Sequence, residues 1–189
     1  MNAKVGSKVL TVAGMMALGV MGVVPALADN SVSQEITCPS PARTASVADQ
    51  TLTSVQFSQT EQQQTGTLTL TATDATCTGL GWNVTVQSSA LSYSGSGSGS
   101  SIPAANLALG TPNTPTKVSG QAVDATNGPK AVGTGGALNS SVEVIDAAAS
   151  YGLGSYTQTI PVTLTIPARS VVGTYTATLT VTMSAGPGA

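Results

Sequence analysis

The sequence predicts an all-β protein, a single β-sandwich of about seven or more short antiparallel strands joined by long loops. Three observations predict this fold. Threonine alternates with apolar residues in several stretches, most strictly over residues 152–183. Glycine, proline and asparagine interrupt the chain often, and no helical periodicity follows residue 28. Period-two alternation places one set of side chains in a core and the other in water, which is typical of half-buried strands.

The clearest strand signals are two runs within residues 152–183. The first run places four apolar residues on one side: Ile160, Val162, Leu164 and Ile166. The second alternates threonine with five others: Tyr175, Ala177, Leu179, Val181 and Met183. Pro167, Ser170 and Gly173 lie between the runs, and residues of these types favour a turn. The two runs are therefore predicted to pair as a hairpin.

The first half of the chain carries further strand signals. After a polar lead-in over residues 29–50, strands are predicted at residues 32–36, 51–58, 67–73 and 82–86. Val55 and Phe57 share one side of the second of these strands. The apolar sides of the last two consist of Leu68, Leu70 and Ala72, and of Trp82, Val84 and Val86. Residues 61–64 are Glu or Gln throughout and predict a polar turn.

Two long loops are predicted in the middle of the chain. Residues 94–101 are a Ser/Gly repeat, for which we expect a flexible loop. Residues 110–136 are rich in Gly, Pro, Asn and Thr, with at most a short strand at 117–122. A strand over 138–145 and a loop over 147–154 follow. Loops of such length are functional or mobile.

Residues 1–28 have the pattern of a cleaved secretion signal. Lys4 and Lys8 precede an apolar stretch over residues 9–24, and Ala26 and Ala28 supply small residues for signal peptidase. The mature domain is then expected to span residues 29–189. The alternative is an uncleaved membrane anchor. No second apolar segment of spanning length follows, so no membrane insertion is expected after cleavage.

Charged residues are scarce, at 7% of the chain, with six basic and eight acidic residues in all. After residue 28 the basic residues are Arg43, Lys117, Lys130 and Arg169. Nucleic-acid binding requires a basic patch that releases counterions, and attraction to anionic lipid requires a polybasic segment. Neither kind of partner is expected. A low charge combined with abundant Thr, Ser, Gly and Ala suits an exported protein of a wall or surface.

Cys38 and Cys77 are the two cysteines of the chain. In an oxidising compartment such a pair is expected to form a disulfide, which ties the N-terminal region to the middle of the sheet. The alternative is two buried free thiols. A zinc site is not expected, because two cysteines without any histidine cannot supply the usual four ligands.

The sequence offers little catalytic chemistry. The absence of histidine excludes Ser–His and Cys–His nucleophile arrangements. Asp74, Glu143 and Asp146 are the acids in or beside predicted strands. Paired carboxylates can hydrolyse glycosides, and these acids together with Asp124 could bind calcium. Their spacing matches no motif for either role. Residues 133–136, GTGG, lack the lysine and helix of a phosphate-binding loop and predict a turn. No enzyme activity, cofactor or metal is expected.

Trp82 is the single tryptophan of the chain and lies in the context Gly81-Trp82-Asn83-Val84. It shares a side with Val84 and Val86, so the first interpretation is a core anchor. The second is a stacking platform for the sugar rings of a wall polymer. Four tyrosines could extend such a platform, although Tyr175 is expected to be buried: Tyr93, Tyr151, Tyr156 and Tyr175.

Three stretches resemble the WxL-domain family of bacterial surface proteins. They are residues 68–87 (LTLTATDATCTGLGWNVTVQ), residues 102–107 (IPAANL) and residues 152–183, which include Ala168 and Gly173-Thr174-Tyr175. The first family motif corresponds to Trp82-Asn83-Val84. The second departs from the family pattern, because Val181-Thr182-Met183 stands where other members often have Trp-x-Leu.

The resemblance implies a non-catalytic β domain that is secreted and stays at the cell surface or wall. It would associate non-covalently with the cell wall, with peptidoglycan as the ligand, and could partner other surface proteins. By position, the implied wall-binding residues are Trp82, Asn83 and Val84 of the first motif, and Val181, Thr182 and Met183 of the second.

The alternative function is a self-assembling pilus-like or sheath-like subunit. Threonine-rich strands with an exposed edge can accept a strand from a neighbouring molecule. A subunit that lends such a strand needs an N-terminal extension with alternating apolar residues. Val32 and Ile36 supply this pattern faintly.

Overall fold

A computed structural model describes residues 32–38 and 41–188 of the chain. The β-structure belongs to a compact unit over Ser40–Ala189, whereas residues 32–38 belong to a separate unit and form no strand. The predicted signal peptide, residues 1–28, lies outside the described residues. Within them, no helix has the length and hydropathy needed to cross a bilayer. Cys38 and Cys77 form a disulfide, which confirms the prediction.

The described part of the chain contains twelve strands and one 3₁₀ turn, Ala104–Asn106. In chain order the strands are β1 Arg43–Val47, β2 Gln62–Asp74, β3 Trp82–Ser88, β4 Ser92–Ser94, β5 Leu107–Leu109, β6 Thr116–Gly120, β7 Lys130–Ala131, β8 Gly136–Ala137, β9 Val142–Ala147, β10 Gly154–Ile166, β11 Thr174–Thr176 and β12 Leu179–Ala185. All of their pairings are antiparallel, so the predicted all-β class is confirmed.

The larger sheet has the order β1-β2-β10-β5-β8, with β6 beside another part of β10. Its axis is the pair β2–β10, two 13-residue strands that stay in register from Asp74↔Gly154 to Gln62↔Ile166. Alternation decides which side is buried, since threonine fills most outward positions. The inward side chains are those that the sequence predicted: Leu68, Leu70, Ala72, Ile160, Val162 and Leu164.

The smaller sheet has the order β12-β3-β9-β7. Its inward residues pack against those of the larger sheet in one core. Across this core the Trp82 and Tyr156 ring centroids are 6.1 Å apart. The buried amide of Gln158 on β10 also donates from Nε2 to the Val144 carbonyl oxygen on β9, at 2.9 Å. The two sheets are thus faces of one sandwich, with aromatic packing and a hydrogen bond between them.

A two-stranded ribbon, β4–β11, accompanies the sandwich, with the rings of Tyr93 and Tyr175 at 5.4 Å. The Ser/Gly repeat begins at Ser94, the last residue of β4, and its remaining residues form no strand, as expected. It is nevertheless packed: Gly97 donates its N–H to the Tyr93 hydroxyl at 3.0 Å. A Cβ atom at Gly95 or Gly99 would collide with the Tyr93 ring. The glycines of the repeat therefore line the ring, while the serines at 94, 96, 98 and 100 are exposed.

The predicted hairpin between the two threonine-rich runs is wrong. β10 and β12 lie in different sheets, where β12 pairs with β3. The reason is that β10 has no free edge: β2 occupies one side and β5, β6 and the segment between them occupy the other. Pro161 lies on β10 opposite that segment, and its carbonyl oxygen accepts a hydrogen bond from the N–H of Gly110. Since N and O of a strand residue point the same way, its missing N–H leaves the β2 ladder intact.

Three local predictions are also wrong. Residues 32–36 and 51–58 form no strand, and apart from the half-buried Leu52 their large apolar residues are exposed, Val32 to 95% and Phe57 to 54%. Neither segment has a partner strand in the described chain. The predicted turn at 61–64 is largely strand, because Gln62–Gln64 pair with Ile166–Leu164 of β10. Tertiary pairing there overrides the local preference for a turn.

Other segments agree with expectation to within a few residues. The short strand predicted at 117–122 is β6, which is exposed along its whole length. The strand predicted at 138–145 is β9, shifted toward the C-terminus, while Leu138 is buried ahead of it. The second long loop also contains the two-residue strand β7, and β8 begins at its last residue.

Candidate functional site

The two motif segments, far apart in sequence, lie side by side on neighbouring strands. Trp82-Asn83-Val84 opens β3 and Val181-Thr182-Met183 lies in β12. In the register of this pair, Met183 is opposite Val84 and Thr182 is opposite Thr85. The structure therefore brings all six predicted site residues together in one two-stranded segment.

The inward side of this segment is core. Trp82 is 0% exposed, and its Nε1 donates to the Gly152 carbonyl oxygen at 2.9 Å. Val84 is equally buried, and Val181 and Met183 are half-buried against the same cluster. The ring of Trp82 packs as the core anchor that one interpretation of the sequence predicted. In this arrangement it offers no surface for a sugar to stack on.

The tyrosines do not extend a platform around Trp82. Tyr156 is buried beside it, and the single proton of its hydroxyl is shared between the carbonyl oxygens of Gln121 at 3.1 Å and Leu153 at 3.2 Å. Burial, followed by the charge of Asp74, raises the pKa of the Tyr156 phenol. Tyr93 and Tyr175 are half-buried in the β4–β11 ribbon, and their rings pack against each other at an interplanar angle of 58°.

The outward side of β3 and β12 is a row of paired polar side chains, which we call the polar face. Asn83 is opposite Ser184, Thr85 opposite Thr182, and Gln87 opposite Thr180. Cross-strand neighbours on one face are close enough to contact a single ligand together. In the part of the chain that the structure describes, the hydroxyls of Thr85, Thr180 and Thr182 make no hydrogen bond. They are available to a ligand.

A β-bulge adds two carboxyl groups to the edge of the polar face. The β3–β9 register shifts between Val84 and Thr85, so Asp146 is opposite Asn83 and Glu143 is opposite Thr85. Positions 143 and 146 would point to opposite faces in a regular strand, and the extra residue reverses one of them. Burial, and then the charge of Asp146, raises the pKa of Glu143.

The chain itself covers the acidic corner of the polar face. Gly188 donates its N–H to Asp146 Oδ1 at 2.8 Å, and Asn83 Nδ2 donates to the Gly186 carbonyl oxygen at 3.4 Å. A Cβ at Gly188 would collide with the Glu143 carboxylate. Lys130 Nζ lies 4.0 Å from Asp146 Oδ2. The open part of the face is therefore the threonine-rich end, at Thr85, Gln87, Thr180 and Thr182.

The remaining acids are engaged locally. Asp74 lies in the larger sheet, where Arg43 Nε contacts its Oδ2 at 3.2 Å and the Thr76 hydroxyl donates to its Oδ1. Asp124 accepts from the N–H groups of Asn127 and Thr126, which lower its pKa in that order. Among the described residues, no three acids or cysteines cluster as metal ligands. Gly133 and Gly135 have positive φ, as suits the predicted turn.

Sequence reasoning missed the polar face as a unit. Alternation alone placed the threonines of β12 outward, but Thr85, Gln87 and Ser184 join them only through the β3–β12 register. The expected hairpin assigned β12 to β10 as its partner, so the register between β3 and β12 was not predicted. No sequence signal indicated the bulge that brings Glu143 and Asp146 together.

Comparison with known proteins identifies the family. Residues 33–187 match the model of a family described as WxL domain, surface cell wall-binding. No curated protein and no solved structure matches the chain. The match covers most of the chain and includes both motif segments. The chain therefore belongs to the WxL domain family of surface, cell wall-binding domains.

Proposed function

We propose that this domain binds the peptidoglycan of a bacterial cell wall non-covalently, through its polar face, and catalyses no reaction. One observation carries the proposal: the two strands that hold the family motifs are direct neighbours in register. Together they present an exposed patch of threonine and glutamine side chains. Their buried sides hold that patch in place.

The chemistry of the patch suits a polyhydroxyl polymer. A threonine hydroxyl both donates and accepts hydrogen bonds, and a glutamine amide does the same. Gln87 is held by its neighbours, since its Nε2 donates to the Asn139 carbonyl oxygen at 3.4 Å and its Oε1 accepts from Ser141 at 3.3 Å. The hydroxyls and acetamido groups of a glycan strand are complementary to this surface, and no charge is required.

Trp82 has an indirect role in this proposal. Its ring lies under the polar face and packs against Tyr156, so it fixes β3 on the larger sheet. The second motif lacks tryptophan in this chain, but Val181 and Met183 fill the corresponding inward positions of β12. Wall binding then depends on the outward partners of these residues, and the substitution of the second tryptophan is compatible with binding.

The test removes hydroxyls without changing shape. The triple variant Thr85→Val, Thr180→Val, Thr182→Val keeps β-branched side chains on the strands. The matched control, Thr65→Val, Thr67→Val, Thr69→Val, makes the same change at exposed positions on the outer side of β2. Binding is measured by co-sedimentation with purified sacculi, before and after secondary wall polymers are stripped. Circular dichroism and thermal melting check that both variants fold.

Three hydrogen bonds at about 0.5–1.5 kcal/mol each predict roughly tenfold or greater loss of affinity in the face variant. The control is expected to bind as the wild type does, and stripping should leave binding intact. Equal binding by both variants would place the ligand site elsewhere. Loss of all binding on stripping would replace peptidoglycan by a secondary polymer as the ligand.

The proposal includes export to the cell surface. Residues 1–28 would be removed as a signal peptide, so the protein recovered from the cell wall should begin at Asp29. Intact mass and N-terminal sequencing of the exported protein measure this directly. A retained N-terminus would indicate a membrane anchor instead.

A further inference from the structure

We propose that the domain associates head to tail with other copies of itself, through residues 32–37 of one copy added as a strand to β12 of the next. Two features of the chain carry this inference: an incomplete flank of the sandwich and an exposed, strand-like segment that matches it. The inference does not depend on which wall polymer is bound.

The flank is incomplete because each sheet ends there in an edge strand that has a partner on one side only. Within residues 41–188, β1 pairs only with β2 and β12 only with β3, so each has a free outer edge. The two strands contact each other across the sandwich. Free edges side by side leave rows of backbone N–H and C=O groups available to another strand.

An apolar groove of about 1260 Å³ lies at this flank. Its walls include inward residues of both edge strands, of β2 and of the ribbon: Val47, Leu68, Tyr175, Leu179 and Val181. The inward residues of β12 are only half-buried, whereas Val84 and Val86 on the adjacent β3 are wholly buried. The inward side chains are therefore fully covered at β3 and only partly covered at β12.

The cover over the groove is weakly held. Residues 49–57, here called the flap, line the groove without forming a strand. In the described chain no backbone-to-backbone hydrogen bond involves them, the nearest being those of Ala48 and Ser58. Leu52 packs against the core, but Val55 and Phe57 remain 38% and 54% exposed. Such a flap can be displaced at little cost in hydrogen bonding.

The second feature is the donor segment, residues 32–37, VSQEIT. Val32 and Ile36 share one parity with Gln34 between them, and they are 95% and 92% exposed. Six extended residues span about 20 Å and the seven of β12 about 23 Å, so the lengths agree. Buried in the groove of a second copy, Val32 and Ile36 would contact the half-buried side of β12 while their backbone paired with its free edge.

The donor and the groove lie on different parts of the chain, so the contact is heterologous. Each copy that lends its donor segment keeps its own groove open for another copy. Such contacts generate open chains of subunits, in contrast to a closed two-fold dimer.

The test compares two double variants of the exported chain with the wild type. Val32→Asp with Ile36→Asp places charge on the apolar side of the donor segment. Ser33→Asp with Thr37→Asp adds the same charge on the other side. All four positions are exposed in the described chain, so both variants are expected to fold. Mass is followed by light scattering during size-exclusion chromatography over a range of concentrations.

A labelled peptide of residues 30–37 supplies a second measurement, read as fluorescence anisotropy on the monomeric Val32→Asp, Ile36→Asp protein. A scrambled peptide is the control. We expect the wild type and the Ser33→Asp, Thr37→Asp variant to form dimers and longer species as concentration rises. The other variant should stay monomeric and should bind the peptide at least tenfold more tightly than the scrambled one.

Other results overturn the proposal. A wild type that stays monomeric and binds no peptide excludes self-association. Association that survives Val32→Asp and Ile36→Asp, or is lost equally in both variants, excludes the donor segment as its cause. Sedimentation with sacculi is expected to be unchanged for monomeric variants, so failure here is distinct from failure of wall binding.

Discussion

The indole N–H of Trp82 donates to the carbonyl oxygen of Gly152, 70 residues away in sequence, at 2.9 Å. This bond joins the first motif strand to the loop that leads into β10, one of the two 13-residue strands of the other sheet. One tryptophan thus contributes apolar burial, an aromatic contact with Tyr156 of the other sheet and a hydrogen bond to the loop that precedes β10.

Replacing Trp82 should destabilise the fold strongly. Trp82→Ala removes the largest fully buried side chain and is expected to cost about 3–5 kcal/mol of unfolding free energy. Trp82→Phe keeps most of the ring contacts but leaves the Gly152 carbonyl without its donor, at about 1–3 kcal/mol. Urea unfolding measures both values. Near-wild-type stability of Trp82→Ala with lost sacculus binding would mean that the ring acts at the surface.

Gly152 should tolerate no side chain. Its φ is +81°, and a Cβ there would lie 2.6 Å from Trp82 Nε1 and 2.7 Å from Ala147 Cβ. Gly152→Ala is expected to lower the unfolding free energy by about 1–3 kcal/mol or more.

The matched control is Gly186→Ala, where φ is +86° and nothing lies within 4 Å. This variant has the energetic cost of an alanine at positive φ, but its Cβ collides with no other atom. Comparing the two melts isolates the collision, and equal effects would show that the contact with Trp82 is unimportant.

Stability should depend on pH through Glu143. Burial and the nearby Asp146 raise its folded-state pKa above the ordinary value of 4.5. The folded protein then binds the proton more tightly than the unfolded chain, so stability falls as pH rises from 4.5 through the folded pKa. Thermal melts across this range should show that decline, and Glu143→Gln should reduce it and raise the melting temperature at neutral pH. A steeper decline in the variant would contradict this assignment.

Reducing the disulfide between Cys38 and Cys77 should lower the melting temperature. Loss of the cross-link is expected to cost about 2–4 kcal/mol, through the greater freedom of the unfolded chain. The Cys38→Ser, Cys77→Ser variant should melt like the reduced wild type and should not respond to reductant. An unchanged melt on reduction would show that the bridge contributes nothing to stability.

The sequence predicted side-chain orientation well and strand pairing poorly. Leu68, Leu70, Val84, Val86, Ile160 and Val162 are all buried on the side that alternation assigned. Alternation is a local property, fixed by the geometry of an extended chain. Which strands pair is decided by edges that become free or occupied only in the folded sheet, and β10 illustrates this because both of its edges are taken.

The candidate site was predictable to the same extent. Asn83 and Thr182 were named from their motifs, whereas their companions Ser184 and Thr85 required the register between β3 and β12. Glu143 and Asp146 lie on the same face only because of the bulge in β9. Its extra residue is Val144, which has no partner in the β3–β9 register. The strand predicted over residues 51–58 fails for the same reason. Val55 and Phe57 alternate as in a strand, but within the described chain no neighbouring strand pairs with them.

The packing of the Ser/Gly repeat around Tyr93 has a practical consequence for engineering. Its two residue types are not interchangeable, because glycines face the ring and serines face water. Point changes at the serines should be silent, while inserting a single residue would swap the two roles and drive a hydroxymethyl group into the aromatic ring. A stretch that looks like a generic linker is thus sensitive to the number of its residues. A tag should be inserted elsewhere in the chain.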